Sequence, residues 1–234
     1  MNNIELLRQR LNSGEHVVIK LLGDSITQGV GGTGFCQDGE HIVDDFYRND
    51  NGYCWANLLR DHVKEHYNAT VVNNGCAGTT IQDTIKNLDV LVSPDDEFII
   101  CTIGTNNRHQ FAKAGPRCTE SEYKDFFYNC LLKLNEELCN RGKKVIFVAN
   151  IPVTPGCEES NDFLWYIIHM DDINDLHKRA QEVTGYTFIS LYDLFCDHIA
   201  KNNIALRSLL VDGVHPNDNG FKIMFDLLID AFGI

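Results

Sequence analysis

Residues 17–25 read VVIKLLGDS, an apolar run rich in β-branched residues that ends in glycine, aspartate and serine. A short run of this composition is typical of a buried strand in a parallel sheet. Similar runs occur at residues 70–74, 97–103, 144–150 and 186–190, and helical patterns separate them. Because strands that alternate with helices form βαβ units, we predict an α/β fold. The expected architecture is a three-layer α/β/α sandwich around a five-stranded parallel sheet.

The helical segments are predicted from apolar residues that recur every three or four positions. The clearest spans residues 121–140, and Thr119 and Glu122 precede its apolar stripe as a capping box. The stripe consists of Phe127, Leu131, Leu134 and Leu138. Another helix is predicted for residues 165–184, with Ile173, Leu176, Ala180 and Val183 buried. Two more are expected at residues 53–66 and from residue 218 to about residue 231.

Length and composition indicate one globular domain over residues 1–234, since 44% of the residues are hydrophobic and no linker or repeat interrupts the chain. A formal net charge of −13 disfavours binding to nucleic acid or to anionic membranes. The first ten residues carry charges and lack the apolar core of a signal peptide. Nine irregularly spaced cysteines favour reduced thiols. We therefore expect a cytoplasmic location.

Two separate segments contain the residue types of a serine hydrolase. Ser25 directly follows the first strand, and Asp212 and His215 lie three residues apart before the last helix. A serine nucleophile needs a histidine base and a carboxylate that orients the base, so these three residues are candidate catalytic residues. Alternatively, the serine segment is an ordinary helix N-terminus, and the Asp212–His215 segment is a surface turn.

Two more segments offer hydrogen-bond donors for an oxyanion. Residues 73–80 read NNGCAGTT after the second strand, and Asn106 follows the third strand. A glycine allows a backbone N–H to approach a substrate closely, and an asparagine side chain can donate. Each segment alone is also compatible with a simple turn. Their shared position at the carboxyl ends of strands predicts one site at one edge of the sheet.

Together, these motifs resemble the SGNH hydrolase superfamily, the GDSL esterases and lipases. The resemblance covers almost the whole chain and implies a flavodoxin-like fold. It also implies that Ser25 is the nucleophile, His215 the general base and Asp212 its orienting partner. The implied oxyanion hole consists of the Ser25 and Gly78 backbone N–H groups and the Asn106 side chain.

Two details of this resemblance concern the residue at position 107 and the identity of the backbone donor. Asn107 replaces an aspartate that is frequent in the third motif of the family, and we expect this change to affect loop support rather than chemistry. Gly75 is an alternative to Gly78 as the backbone donor. Neither the family nor the predicted chemistry requires a metal or another cofactor.

The segment between the serine and the next helix, residues 29–52, mixes aromatic and acidic residues. This composition suits a sugar better than a long acyl chain. We therefore predict a serine esterase for short-chain esters of a carbohydrate, in particular acetyl esters, with substrate contacts from Asp24, Phe35, Phe46 and Tyr47. An acyltransferase that moves an acyl group to a sugar hydroxyl is the main alternative. A non-enzymatic carbohydrate- or nucleotide-binding module is a third, and the oligomeric state is not predicted.

Other motifs are weaker indications of function. Gly29, Gly31 and Gly34 match a dinucleotide fingerprint in spacing, but they do not lie at the first strand-to-helix turn. His62 and His66 have a spacing that permits metal binding, although an exposed helix face is the favoured interpretation. Cysteines 76 and 101 are expected to be buried thiols rather than nucleophiles.

Overall fold

A computed structural model describes residues 2–157 and 159–234 of the chain. Its strands are β1 (Val17–Gly23), β2 (His41–Val43), β3 (Phe46–Tyr47), β4 (Ala69–Gly75), β5 (Phe98–Thr102), β6 (His109–Phe111), β7 (Lys144–Val148), β8 (Leu164–Tyr166) and β9 (Thr187–Ile189). Its α-helices are α1 (Asn3–Asn12), α2 (Ser25–Gln28), α3 (Trp55–His66), α4 (Ile81–Lys86), α5 (Leu88–Leu91), α6 (Glu120–Asn140), α7 (Met170–Thr184), α8 (Leu191–Lys201) and α9 (Asp218–Phe232). Short 3₁₀ helices cover Thr105–Arg108, Ala112–Ala114 and Leu206–Leu209.

Five strands form one parallel sheet in the order β4-β1-β5-β7-β9. This order confirms the predicted flavodoxin-like α/β fold. In such sheets, ligands bind beyond the carboxyl ends of the strands where the strand order reverses, which here is the edge next to β1 and β5. The segments that follow these two strands are therefore the first places to look for a functional site.

Apolar side chains cover both faces of the sheet and give the three-layer arrangement. On β5, Ile99 and Cys101 belong to a core shared with α4–α7. Their neighbours Phe98 and Ile100 belong to a second core shared with α1, α3, α8 and α9. Because successive side chains of a strand point to opposite faces, a sheet covered on both sides reads as a continuous apolar run.

The longest helix lies where it was predicted, whereas the prediction of a helix over residues 165–184 is partly wrong. In α6, the four residues of the apolar stripe are buried, and the Thr119–Glu122 capping box is present. In contrast, α7 begins only at Met170, because Trp165 pairs with Gln110 in the antiparallel ladder of β8 and β6. Val183 was predicted to be buried, but it is 68% exposed on the solvent side of α7.

Two long segments between the main elements of the sheet contain short strands. Strands β2 and β3 form an antiparallel pair within residues 29–52. The other segment, residues 108–119, includes β6 and the 3₁₀ turn Ala112–Ala114. Both segments leave the carboxyl edge of the sheet, so they border the positions reached by the ends of β1 and β5.

Candidate active site

Ser25 is the first residue of α2 and lies immediately after the end of β1. The Asp24 side chain accepts a hydrogen bond from the Ile26 N–H at 3.0 Å and so caps this short helix. The first N–H groups of a helix have no intrahelical partner, and the Ser25 N–H has no hydrogen-bond acceptor among the described residues. The fold therefore presents a serine hydroxyl and a free backbone donor at the same position.

The structure brings Ser25, His215 and Asp212 into one hydrogen-bonded chain. The His215 Nε2 atom lies 2.8 Å from the Ser25 Oγ, and its Nδ1 atom lies 2.6 Å from the Asp212 Oδ2. An ionised carboxylate only accepts hydrogen bonds, so Nδ1 carries the proton and Nε2 is left to accept the serine proton. The arrangement has the geometry required of a nucleophile, its base and the group that orients the base.

The charge state of Asp212 is fixed by its hydrogen bonds. Partial burial raises the pKa of this carboxyl, but hydrogen bonds from the His215 N–H, the His215 ring and the Val214 N–H outweigh that effect and lower the pKa to about 2. Asp212 is consequently ionised at any pH near neutrality. An ionised carboxylate in this position is able to stabilise a neighbouring imidazolium.

Two neighbouring segments hold the turn that carries Asp212 and His215. Gly213 has a φ of +97°, and its C=O accepts hydrogen bonds from the Thr154 N–H at 2.9 Å and the Thr154 hydroxyl at 3.3 Å. On the other side, Gly31 leaves no room for a side chain, because a Cβ atom would lie 2.4 Å from the Pro216 O and 3.1 Å from the His215 Cβ. This glycine therefore serves close packing against the histidine rather than contact with a dinucleotide phosphate.

Gly78 fits the role of backbone donor better than Gly75. The N–H of Gly75 donates to the Asn73 side chain at 3.0 Å, and a Cβ atom at Gly75 would lie 2.4 Å from the Gln28 N. By contrast, Gly78 is exposed with a φ of +76°, and its N–H has no acceptor among residues 2–157 and 159–234. The buried Gln28 side chain accepts from the Ala77 N–H at 3.1 Å, which ties the Gly78 turn to the serine helix.

Asn106 and Asn107 have different roles, although they are adjacent. The Asn106 amide donates one hydrogen bond to the Thr79 C=O at 3.0 Å, which leaves its second N–H for another acceptor. The Asn107 side chain is fully buried, accepts from the Ile81 N–H at 2.9 Å and donates to the Gln82 Oε1 at 2.7 Å. As expected for position 107, this side chain supports the loop.

Asp24 was predicted to contact substrate, and the structure contradicts that prediction because the residue is fully buried. Besides capping α2, its carboxylate accepts from the Asn150 amide at 3.1 Å, and Asn150 also donates to the Thr105 hydroxyl at 2.7 Å. Burial raises the pKa of Asp24, and hydrogen bonds to Thr105 and the Ile26 N–H oppose the rise. Asn150 was not predicted to belong to the site, because its signal in the sequence is only its position at the end of the fourth predicted strand.

The aromatic residues of the segment 29–52 lie at different depths. Phe46 lines a cavity of about 270 Å³ that also includes Gly78, so it lies beside the candidate oxyanion donors. The exposed Tyr47 ring packs edge-on against the His41 ring at 5.1 Å. Phe35 is half-buried, and its N–H donates to the Gly32 C=O at 3.2 Å. Their contacts with a substrate stay predictions.

The other candidate ligands and nucleophiles are not assembled into a site. The rings of His62 and His66 stack at 4.3 Å, and no group of three potential metal ligands occurs in the described part of the chain. Cys76 and Cys101 are buried, which raises the pKa of Cys76 to about 12 and also raises that of Cys101. A cysteine nucleophile must be ionised. Neither of these thiols is ionised near neutral pH, so neither is suited to that role.

Several solved structures have the same fold. LAE5, an alpha/beta hydrolase enzyme from the metagenome of Lake Arreo, Spain, superposes with a TM-score of 0.69 at 22% identity over 93% of this chain and 95% of its own. Axe2, an acetylxylan esterase from Geobacillus stearothermophilus, gives a TM-score of 0.66 at 18% identity over 93% and 94%. CEX, a two-domain esterase active on acetylated mannans and co-crystallised with mannopentaose, gives 0.67 at 19% identity over 99% of this chain and 53% of its own.

The sequence comparisons identify the family. Comparison with curated protein sequences gave no match. The sequence model of the GDSL-like Lipase/Acylhydrolase family matches residues 21–223, which include the serine segment, both donor loops and the Asp212–His215 turn. The chain therefore belongs to the GDSL-like Lipase/Acylhydrolase family and is a carboxylic ester hydrolase.

Proposed function

We propose that this protein is a serine esterase that removes short acyl groups, in particular acetyl groups, from a carbohydrate through an acyl-serine intermediate. The observation that carries the proposal is the hydrogen-bonded chain from the Ser25 Oγ through the His215 ring to Asp212, with distances of 2.8 and 2.6 Å. A serine is a weak nucleophile until a neighbouring base takes its proton, and this chain provides that base.

The first step is acylation of Ser25. As its Oγ atom bonds to the ester carbonyl carbon, the hydroxyl proton moves to the His215 Nε2, and Asp212 stabilises the resulting imidazolium. The tetrahedral intermediate then breaks its bond to the alcohol oxygen, which takes the proton from Nε2 and leaves. The products of this step are an acyl-serine and a free sugar hydroxyl.

The negative charge of the tetrahedral intermediate requires hydrogen-bond donors. The free N–H groups of Ser25 and Gly78 and the second N–H of Asn106 are suited to this task. Two hydrogen bonds keep these donors in one region. The Cys76 backbone N–H donates to the Gly23 C=O at 3.0 Å, and the Asn106 amide donates to the Thr79 C=O next to Gly78.

Water is the acyl acceptor that the site favours. The Asp212 side chain is 54% exposed and the His215 ring is partly exposed, so bulk water reaches the base from outside. In the second step, the water oxygen bonds to the acyl carbon while the His215 Nε2 takes a proton from that water. The bond between the acyl carbon and the Ser25 Oγ then breaks, Ser25 regains a proton from Nε2, and the acid leaves. Transfer to a sugar hydroxyl is the alternative fate of the same intermediate.

The walls near Gly78 favour a short acyl group. The cavity at this position also includes the charged side chains of Asp44, Asp83 and Lys86. A long alkyl chain placed there would desolvate charged groups without pairing them, which costs free energy. Carbohydrate substrates are supported by Axe2 and CEX, whose described substrates are acetylated polysaccharides.

The test compares p-nitrophenyl acetate, butyrate and octanoate, whose leaving groups are identical, with the wild-type protein and Ser25→Ala. Ser208→Ala is the matched control, because Ser208 is an exposed serine outside the site. We expect hydrolysis that falls with acyl length, is abolished in Ser25→Ala and is unchanged in Ser208→Ala. Release of acetate from acetylated xylan or mannan tests the carbohydrate substrate.

Two results would contradict parts of the proposal. Activity in Ser25→Ala equal to the wild type would exclude the acyl-serine mechanism. Acetyl transfer to an added oligosaccharide that outpaces acetate release would identify a transferase.

The proposed cytoplasmic location is supported by the cysteines, because all nine are unpaired in the structure and disulfides are rare in reducing compartments.

A further inference from the structure

A second cavity, of about 450 Å³, opens at the same edge of the sheet as Ser25. Its walls come from the N-terminal ends of α4 and α6 and from β6. We call it the aromatic cavity, and its defining residues are Gln82, His109, Gln110, Phe111, Tyr123 and Phe126. Its volume lies within the range of about 300–1,000 Å³ that is usual for small-molecule sites.

The aromatic cavity is connected directly to the candidate oxyanion loop. Gln82 on its wall accepts the hydrogen bond from Asn107 at 2.7 Å, and Asn107 is the neighbour of Asn106. On the opposite side of the loop, His109 follows the 3₁₀ turn Thr105–Arg108 that carries both asparagines. The cavity therefore borders the segments that carry the candidate donors Gly78 and Asn106.

Two phenyl rings are exposed on the walls of this cavity. Phe111 is 49% and Phe126 is 41% exposed. Each ring contacts a second aromatic ring on the wall, since Phe111 meets His109 edge-on at 5.4 Å and Phe126 lies 5.8 Å from Tyr123. Exposed aromatic surface in a concave site is typical of ligand binding.

Polar groups on the same walls restrict the class of ligand. The Gln82 Oε1 is occupied by Asn107, and the Gln82 Nε2 has no acceptor in the described part of the chain. The Asp83 Oδ2 accepts from Thr80, and the Asp83 Oδ1 has no donor within residues 2–157 and 159–234. Both groups need a polar partner when a ligand displaces water from the cavity.

A pyranose ring matches both kinds of wall. Its C–H face packs against aromatic rings, and its hydroxyl groups can accept from an amide and donate to a carboxylate. An alkyl chain would bury the Gln82 amide and the Asp83 carboxylate without hydrogen bonds. We propose that the aromatic cavity binds a sugar ring of the carbohydrate ester substrate, an inference that rests on the proposed esterase function.

Hydrogen bonds within the protein hold the walls of the aromatic cavity in place. The Tyr123 hydroxyl donates to the His109 C=O at 2.9 Å, and β6 pairs with β8 through His109, Gln110 and Phe111. The Gln110 side chain donates a hydrogen bond to the Pro116 C=O and accepts one from the Cys118 N–H, each at 3.0 Å. A site that does not have to order on binding loses less affinity to entropy.

The kinetic test compares acetylated xylooligosaccharide with ethyl acetate, which has no ring. The variants are Phe111→Ala, Phe126→Ala and the double variant, with Phe163→Ala as control. Phe163 is 79% exposed and precedes β8 outside the cavity walls. Each cavity variant should lower kcat/KM for the oligosaccharide about 3- to 10-fold, mainly through KM, because it removes aromatic surface on which the sugar ring packs. Ethyl acetate hydrolysis should change by less than about twofold in every variant.

The binding test does not depend on catalysis. Ser25→Ala is titrated calorimetrically with unacetylated xylopentaose and mannopentaose, with and without Phe111→Ala and Phe126→Ala. Binding of either sugar that weakens in the double variant supports the cavity site, even if the wild-type protein hydrolyses no ester and the proposed esterase function fails.

Three results would overturn the inference. One is unchanged oligosaccharide kinetics in the double variant. Another is the absence of binding to either pentaose. The third is a loss confined to octanoate esters, which would assign the cavity to an acyl chain.

Discussion

The adjacent asparagines 106 and 107 should respond to alanine substitution in opposite ways. Asn106→Ala removes the one side-chain donor of the proposed oxyanion hole. Loss of a single such donor lowers kcat about 100- to 1,000-fold, or about 2.7–4 kcal/mol in the barrier. Folding should suffer little, because the hydrogen bond lost among the described residues goes to the half-buried Thr79 C=O and is worth about 0.5–1.5 kcal/mol.

Asn107→Ala removes two hydrogen bonds that support the same loop. The Ile81 N–H is fully buried and would lose its acceptor, which costs about 1–3 kcal/mol. The bond to the partly exposed Gln82 is replaceable by water and adds about 0.5–1.5 kcal/mol. The free energy of unfolding should therefore fall by about 2–4 kcal/mol, while the folded fraction retains most of its turnover.

The assays are initial rates on p-nitrophenyl acetate and urea unfolding followed by fluorescence of the two tryptophans. The wild-type protein and Ser208→Ala define the reference for both measurements. The assignment is refuted if folded Asn106→Ala keeps more than about a tenth of the wild-type kcat. It is also refuted if Asn107→Ala loses turnover a hundredfold without any loss of stability.

Two further predictions concern ionisable groups. Between pH 4 and 8, kcat/KM should fall no more steeply than about tenfold per pH unit, because Asp212, with a pKa of about 2, stays ionised in this range and adds no protonation step of its own. An acid limb of slope two in a pH–rate profile would contradict this. Since the folded-state pKa of Asp212 is depressed, its contribution to stability is present above pH 4 and is lost as the pH falls towards 2. Asp24→Ala should lower the free energy of unfolding by about 2–4 kcal/mol, because the buried Ile26 N–H and the Asn150 amide lose their acceptor. Asp24→Asn keeps a capping oxygen and should lose less in the same urea titration, so equal losses in the two variants would argue against the cap.

The sequence predicted the sheet well because its signals are local. The run at residues 17–22 and the four other strand predictions lie within two residues of the observed strands, since apolar β-branched runs between turn residues specify buried strands. The contact of Ser25 with His215 was also predictable, because each residue lies in a motif that was predicted at the same edge of the sheet. Their catalytic roles stay predictions until variants are measured.

Features that depend on pairing between distant segments were not predictable in the same way. The apolar residues Trp165 and Ile168 fit a helix period, yet the chain uses Trp165 in a strand against β6, 55 positions earlier. Burial of Asp24 had no sequence signal, because its partner Asn150 lies 126 residues away. The aromatic cavity is similarly assembled from three separate segments, residues 80–83, 109–118 and 123–126.

The proposed triad combines an exposed carboxylate, Asp212, with a buried serine, Ser25, and this difference explains how the three residues are held in place. Asp212 is 54% exposed, so its attraction to an imidazolium is screened by water and cannot alone fix the ring. Its second oxygen instead accepts the Val214 and His215 N–H groups at 2.9 and 2.8 Å, which locks the carboxylate to the backbone of its own turn. Thr154 anchors that turn to the body of the protein through the Gly213 C=O. Backbone hydrogen bonds therefore position this carboxylate, and the His215 side chain stays partly exposed to the water that the proposed hydrolysis requires.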